Sequence, residues 1–127
     1  MKQFVSLIAV VCFCVIFSRC AGVLMAGGAA AGTVAYINGE LKQFEAVGID
    51  HLWLATQTAS KAMELHTVES EKDALTARLQ LKGANDQDIY INLKSMAVNR
   101  TEIRIRINVF GDEKSSQRIL SEIEKRL

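Results

Sequence analysis

Side chains able to do chemistry are few in this 127-residue chain, and their spacing keeps most of them apart. The two histidines, His51 and His66, bracket a stretch whose apolar residues recur with helical spacing. At the helical rise per residue they stand about 20 Å apart, too far to share a metal ion. His66 with Glu69 and Glu71 makes a loose set of metal-ligand types, but the surrounding H-T-V-E-S-E-K-D reads more simply as a solvated run of charge. Asp86 and Asp88 share a loop and could pair for acid–base work or for calcium; without further ligands, two such carboxylates are ordinary turn residues. All three cysteines, Cys12, Cys14 and Cys20, lie in the first twenty residues, which leaves the remainder without a disulfide or a thiolate metal site. Cys12 and Cys14 sit inside an apolar run and act there as small hydrophobes. The chain has no G-x-S-x-G, P-loop or dinucleotide fingerprint. No catalytic residue, metal or cofactor is therefore expected.

Cys20 is the exception, because its chemistry follows from what precedes it. Lys2 supplies a short positive region, and Phe4 to Phe17 form an uncharged apolar run too short to span a bilayer core of about 30 Å. Ser18-Arg19-Cys20-Ala21 then stands where a bacterial lipoprotein signal places small residues and the cysteine that is acylated. Residues 1–20 thus read as a lipoprotein-type signal peptide, with Cys20 as the lipidation site. Arg19 occupies a position where such sites prefer Gly or Ala, so an uncleaved signal anchor is the alternative. Residues 21–38 are rich in Gly and Ala and suit either a loose tether or a membrane-associated segment. Gly28-x-x-x-Gly32 would allow self-association of such segments. The formal charge of +1 falls to −1 once Lys2 and Arg19 are removed, a balance that argues against nucleic-acid binding.

Residues 39–127 supply the elements of a globular domain. Glu40 to Val47 is extended without clean alternation, and Gly48 ends it. Ile49, Leu52, Trp53, Thr56, Ala59 and Met63 recur at helical spacing up to about Leu65, with Asp50 as N-cap and Trp53 as a core anchor. Leu54 falls off this stripe. His66 to Asp73 suits an edge strand whose charges deter pairing with another chain. Leu75, Ala77, Leu79 and Leu81 alternate with polar residues, as do Ile89, Ile91 and Leu93, and as do Ile103, Ile105, Ile107 and Val109. The last strand runs into Phe110-Gly111, then a helix capped by Asp112 with Ile119, Leu120, Ile123 and Leu127 on one stripe. The expected fold is α+β: a two-layer domain with a four- or five-stranded, mostly antiparallel sheet and both helices on one face, in the order β-α-β-β-β-β-α.

If both helices cover one face, the other displays Arg78, Gln80, Lys82, Tyr90, Asn92, Lys94, Glu102, Arg104 and Arg106. Five of these are cations, Arg78, Lys82, Lys94, Arg104 and Arg106, against one carboxylate. Such a face would attract an anionic envelope component, either lipid headgroups or cell-wall polymer; the competing reading is a solvated face that serves solubility.

A leader with a cysteine, a Gly/Ala run, Gly39-Glu40-Leu41, and a final Phe110-Gly111-Asp112-Glu113 followed by Ile119-Leu120-x-x-Ile123 together resemble a group of small bacterial lipoproteins known as domain-of-unknown-function family three-five-six-eight. The resemblance spans essentially the whole chain. It implies a bacterial envelope lipoprotein, held at the periplasmic side of a membrane through Cys20, and it implies no catalytic residue. A membrane-tethered structural or binding module is thus the expected function, and a subunit of an envelope enzyme complex is the alternative.

Overall fold

The computed structural model describes residues 34–127. Strands β1 (Ala35–Ile37) and β2 (Glu40–Glu45) form a hairpin; helix α1 (Ile49–Ala62) follows, then β3 (His66–Lys72), β4 (Thr76–Lys82), β5 (Asp88–Ala97), β6 (Arg100–Ile107) and helix α2 (Glu113–Glu124). All six strands join one antiparallel sheet in the order β1-β2-β6-β5-β4-β3. The α+β architecture and the consecutive meander follow the sequence expectation, with six strands in place of four or five. Strands β2 and β3 are adjacent in sequence but far apart in the sheet, so α1 must carry the chain across one face.

The additional strand lies within the stretch expected to be tether, residues 21–38. Asn38 and Gly39 both have positive φ, 53° and 79°, which is the backbone of the two-residue turns that close tight hairpins. Tyr36 packs against the core from this strand. Gly39 is required for a second reason. A Cβ there would come within 2.6 Å of the Phe110 carbonyl oxygen, because the hairpin turn rests directly on the backbone leading into α2.

Sheet alternation builds the core. Leu41, Leu79, Leu81, Ile91, Leu93, Ile103, Ile105 and Ile107 point to the helix face and are nearly inaccessible to water. Helix α1 meets them with Ile49, Leu52, Ala55 and Ala59, and α2 with Ile119, Leu120 and Ile123. Thr56 and Ser60 can join this interior because each hydroxyl donates to a carbonyl one turn earlier, Leu52 O and Thr56 O, both at 2.8 Å. Trp53 is only half-buried, at the margin of the core. Leu54, Val109 and Phe110 are exposed. Val109 fails to continue the inward alternation because Asn108, at φ 55°, ends β6, and its side-chain oxygen accepts from Asp88 N at 3.0 Å.

The helix ends differ in how they are satisfied. Asp112 caps α2 as expected, accepting from Ser115 N at 3.0 Å and from Ser115 Oγ at 2.8 Å; these bonds hold its carboxyl below the usual carboxylate range. At α1 the N-cap is Gly48 and makes no side-chain bond. Asp50 lies inside the first turn and pairs with Lys72 Nζ at 2.6 Å, tying the helix start to the far edge strand.

Candidate functional site

With both helices on one side, the other face of the sheet carries no element among the described residues, and strand register arranges its side chains in cross-strand rows. One row runs Glu71, Arg78, Asn92, Arg104, Lys42 from the β3 edge towards β1. The next runs Glu69, Gln80, Tyr90, Arg106, Glu40. A third contains Thr76, Lys94, Glu102 and Phe44. The nine side chains expected on this face are all on it. All but Lys82 line one of two shallow grooves: one of about 550 Å³, where Arg78, Lys94 and Arg104 stand with Glu40, Glu71 and Glu102, and one of about 320 Å³, where Arg78 and Arg106 stand with Glu40 and Glu69.

The charge balance differs from the expected five cations against one carboxylate. Strand β2 adds Lys42 but also Glu40, β6 adds Arg100, β3 adds Glu69 and Glu71, and Asp88 faces Lys82, so the face carries seven cations and five carboxylates. These residues escaped sequence analysis for physical reasons. The alternation of β2 is hidden because polar Gln43 and Glu45 take inward positions, and β3 is exposed throughout and bulged between Thr67 and Glu69. The charges are nonetheless sorted in space. Four carboxylates stand on β3, at the start of β2 and at the start of β5, the fifth, Glu102, lies beside Arg104 on β6, and Arg78, Arg104 and Arg106 occupy β4 and β6 around Asn92 and Tyr90.

Several of these groups are already partnered. Glu102 is buried and accepts from Arg104 Nε and, at 3.2 Å, from Lys42 Nζ. Burial pushes its carboxyl up, but the two cations outweigh that and hold it below the usual range. Lys82 pairs with Asp88 at 2.9 Å and Asp86 at 3.4 Å, so the loop carboxylates considered for calcium serve one lysine, whose pKa they raise. Phe44 lies beneath Lys42 and Arg100, at 5.5 and 4.6 Å from the ring centre. Arg78, Lys94 and Arg106 have no carboxylate within 4.0 Å among the described residues. Arg106 reaches only the Asn38 carbonyl, at 3.3 Å.

The remaining candidates are dispersed. His51 is exposed in the first turn of α1, and His66 is exposed at the start of β3, facing Lys82 across the strands. Glu69 and Glu71 face Gln80 and Arg78. Among the described residues no three His, Cys, Asp or Glu side chains gather as metal ligands. No described helix is long and apolar enough to cross a membrane. The leader, Cys12, Cys14, Cys20 and the Gly28 to Gly32 segment lie outside the described residues.

Sequence analysis also missed a polar group on the covered face. Gln43, fully buried on β2, donates from Nε2 to Glu45 and, at 2.6 Å, to Glu124 at the end of α2. Burial, opposed by the Gln43 bond but reinforced by the neighbouring Glu124 carboxyl, raises the pKa of Glu45.

Fold and face together define a two-layer α+β domain that covers one side of its sheet with helices and presents a charge-sorted groove on the other. The chain belongs to the family described as "Protein of unknown function (DUF3568)", which it matches over residues 2–126. Comparison with curated proteins finds no match.

Proposed function

We propose that the protein is a non-catalytic, lipid-anchored module of the bacterial envelope, acylated at Cys20, whose open sheet face holds an anionic group of a cell-wall polymer. The observation that carries this reading is the pairing of Arg78 and Arg104 on either side of Asn92 in one cross-strand row. Strands two positions apart are about 10 Å from each other, a separation that two arginine side chains can close over a single anion. Guanidinium groups match phosphate and carboxylate oxygens in pairs, and the Asn92 amide can add a donor beneath them. The carboxylates at the flanks select between the two anionic partners considered. A flat anionic bilayer pressed on this face would meet Glu40, Glu69 and Glu71 all at once, whereas an isolated phosphate or carboxylate on a polymer strand can sit between Arg78 and Arg104 over Asn92.

The anchor rests on the apolar run Phe4 to Phe17 followed by Cys20. Intact mass of the membrane-fraction protein tests it: the anchored form begins at Cys20 and carries acyl chains, and Cys20→Ser abolishes both changes. A variant of unchanged mass and membrane retention would instead support the uncleaved signal anchor that Arg19 favours.

A further inference from the structure

The two ends of the sheet differ in the charge that surrounds their exposed apolar residues. At one end the β5–β6 hairpin tip carries Val98, which is 88% exposed, and a bulge at Met96 turns that exposed side chain out of the ladder. Leu75, from the β3–β4 turn, is bound to the same place by Ser95 N donating to its carbonyl at 2.7 Å, and is 64% exposed. Arg100 and Lys94 flank this apolar tip without a carboxylate within 4.0 Å among the described residues. Asp73, the acid of the neighbouring turn, accepts from Leu75 N, Thr76 N and Thr76 Oγ1, bonds that hold its carboxyl below the usual range, so it stands as one anion beside the two cations. At the opposite end Phe110 is 92% exposed, but it is followed by Asp112 and Glu113, and Asp88 is bonded to Asn108 beside it.

We propose that the Leu75/Met96/Val98 tip is a second membrane contact, seated in the headgroup region of an anionic leaflet with Arg100 and Lys94 against the phosphates. Two observations choose a lipid surface as the occupant. Strand β1 runs antiparallel to β2, which ends at the tip's end of the sheet at Glu45 paired with Thr101, so the chain arriving from Cys20 enters the domain from that side. Thirteen residues lie between Cys20 and Val34, a reach of up to about 50 Å, so the tether permits the contact. The second observation is charge: apolar side chains flanked by two cations, one of them stacked on Phe44, and a single acid suit an anionic interface better than Phe110, which Asp112 and Glu113 follow. An interfacial contact of this kind would add to the anchor at Cys20 by fixing how the domain is oriented on the membrane.

This inference rests on the anchor at Cys20, and its test separates the two. Full-length acylated protein is reconstituted into phosphatidylglycerol-containing vesicles with an environment-sensitive fluorescent amino acid at position 98 or at position 110. Sedimentation reads the anchor, and quenching by brominated lipid reads the contact. Quenching at position 98 but not at 110, weakened about fivefold in seated-to-unseated ratio by Arg100→Ala, is the expected result. Protein that sediments but is quenched equally at both positions, or at neither, overturns the membrane contact and leaves the anchor standing. Protein that stays in the supernatant overturns the anchor and the contact with it.

Discussion

Leu79, Ile91, Ile105 and Leu41 form one cross-strand row, and Arg78, Asn92, Arg104 and Lys42, each one residue away, form the neighbouring row on the opposite face. The first row is sealed under the helices and the second is open to water. Packing dictates the first, because any residue there must be apolar and of the right volume. It dictates little about the second, where a sheet needs only to be soluble. The clustering of Arg78, Arg104 and Arg106 around Asn92 and Tyr90 is therefore the part of the molecule that folding does not explain.

The comparison is broken most severely by moving a charge from one row to the other. Ile105→Lys buries an unpaired ammonium in a fully enclosed site, at a cost of several kcal/mol against the roughly 5–15 kcal/mol that holds a domain together. Circular dichroism should find it unfolded or melting far below the natural protein. Arg106→Ala, one position away on the open face and without a carboxylate partner among the described residues, should shift the melting temperature little. Equal melting of the two variants would mean that the faces are assigned wrongly.

The two buried carboxylates sharpen the comparison, because each face treats its acid differently. Glu45, on the covered face, is held above its ordinary pKa of 4.5, chiefly by burial. Its contribution to stability is complete below that value and is lost as pH rises through the raised one. Glu102, also buried, meets the same desolvation, but Arg104 and Lys42 on the open face hold its pKa below 4.5. Its contribution is present above that value and is lost as pH falls through the lowered one. Urea unfolding should therefore find Glu45→Gln more stable than the natural protein at pH 7 and Glu102→Gln less stable, with both differences shrinking towards pH 4. The same sign for both at pH 7 would contradict the assigned environments.

A smaller effect is expected at α2. Asp112→Ala removes the cap bonds to Ser115 and should lower the melting temperature by about 4–8 °C, with little change for Asp112→Asn or Asp112→Ser. At Asp50, which caps nothing, alanine should cost less than at Asp112.

The covered face was the legible one. Period-two apolar residues marked β4, β5 and β6, and Asp112 with Ile119, Leu120 and Ile123 marked α2, because in each case burial and local geometry ask for the same residues. Where the sequence was hard to read, two requirements conflicted. Gln43 and Glu45 satisfy each other inside the protein and so disguise β2 as an irregular strand, and Ala35 to Ile37 has the composition of the tether before it although Asn38-Gly39 carries the hairpin turn. On the open face the positions of Arg78, Arg104, Arg106 and Glu102 could be read from alternation. Glu40, Glu69 and Glu71 could not, since they come from β2 and β3, whose neighbours in the sheet only the long-range pairing defines.

The central claim is that the arginines at the middle of the open face bind an anion on a cell-wall polymer. It is tested most directly by co-sedimentation of the protein with purified sacculi, comparing the natural sequence with an Arg78→Glu/Arg104→Glu/Arg106→Glu variant of matched circular dichroism. Exposed charges are screened beyond about 8 Å at physiological ionic strength, so binding through this face must weaken as salt is raised. The account predicts salt-sensitive sedimentation with sacculi that the triple variant loses. Binding that is indifferent to salt, or identical in the triple variant, would contradict it.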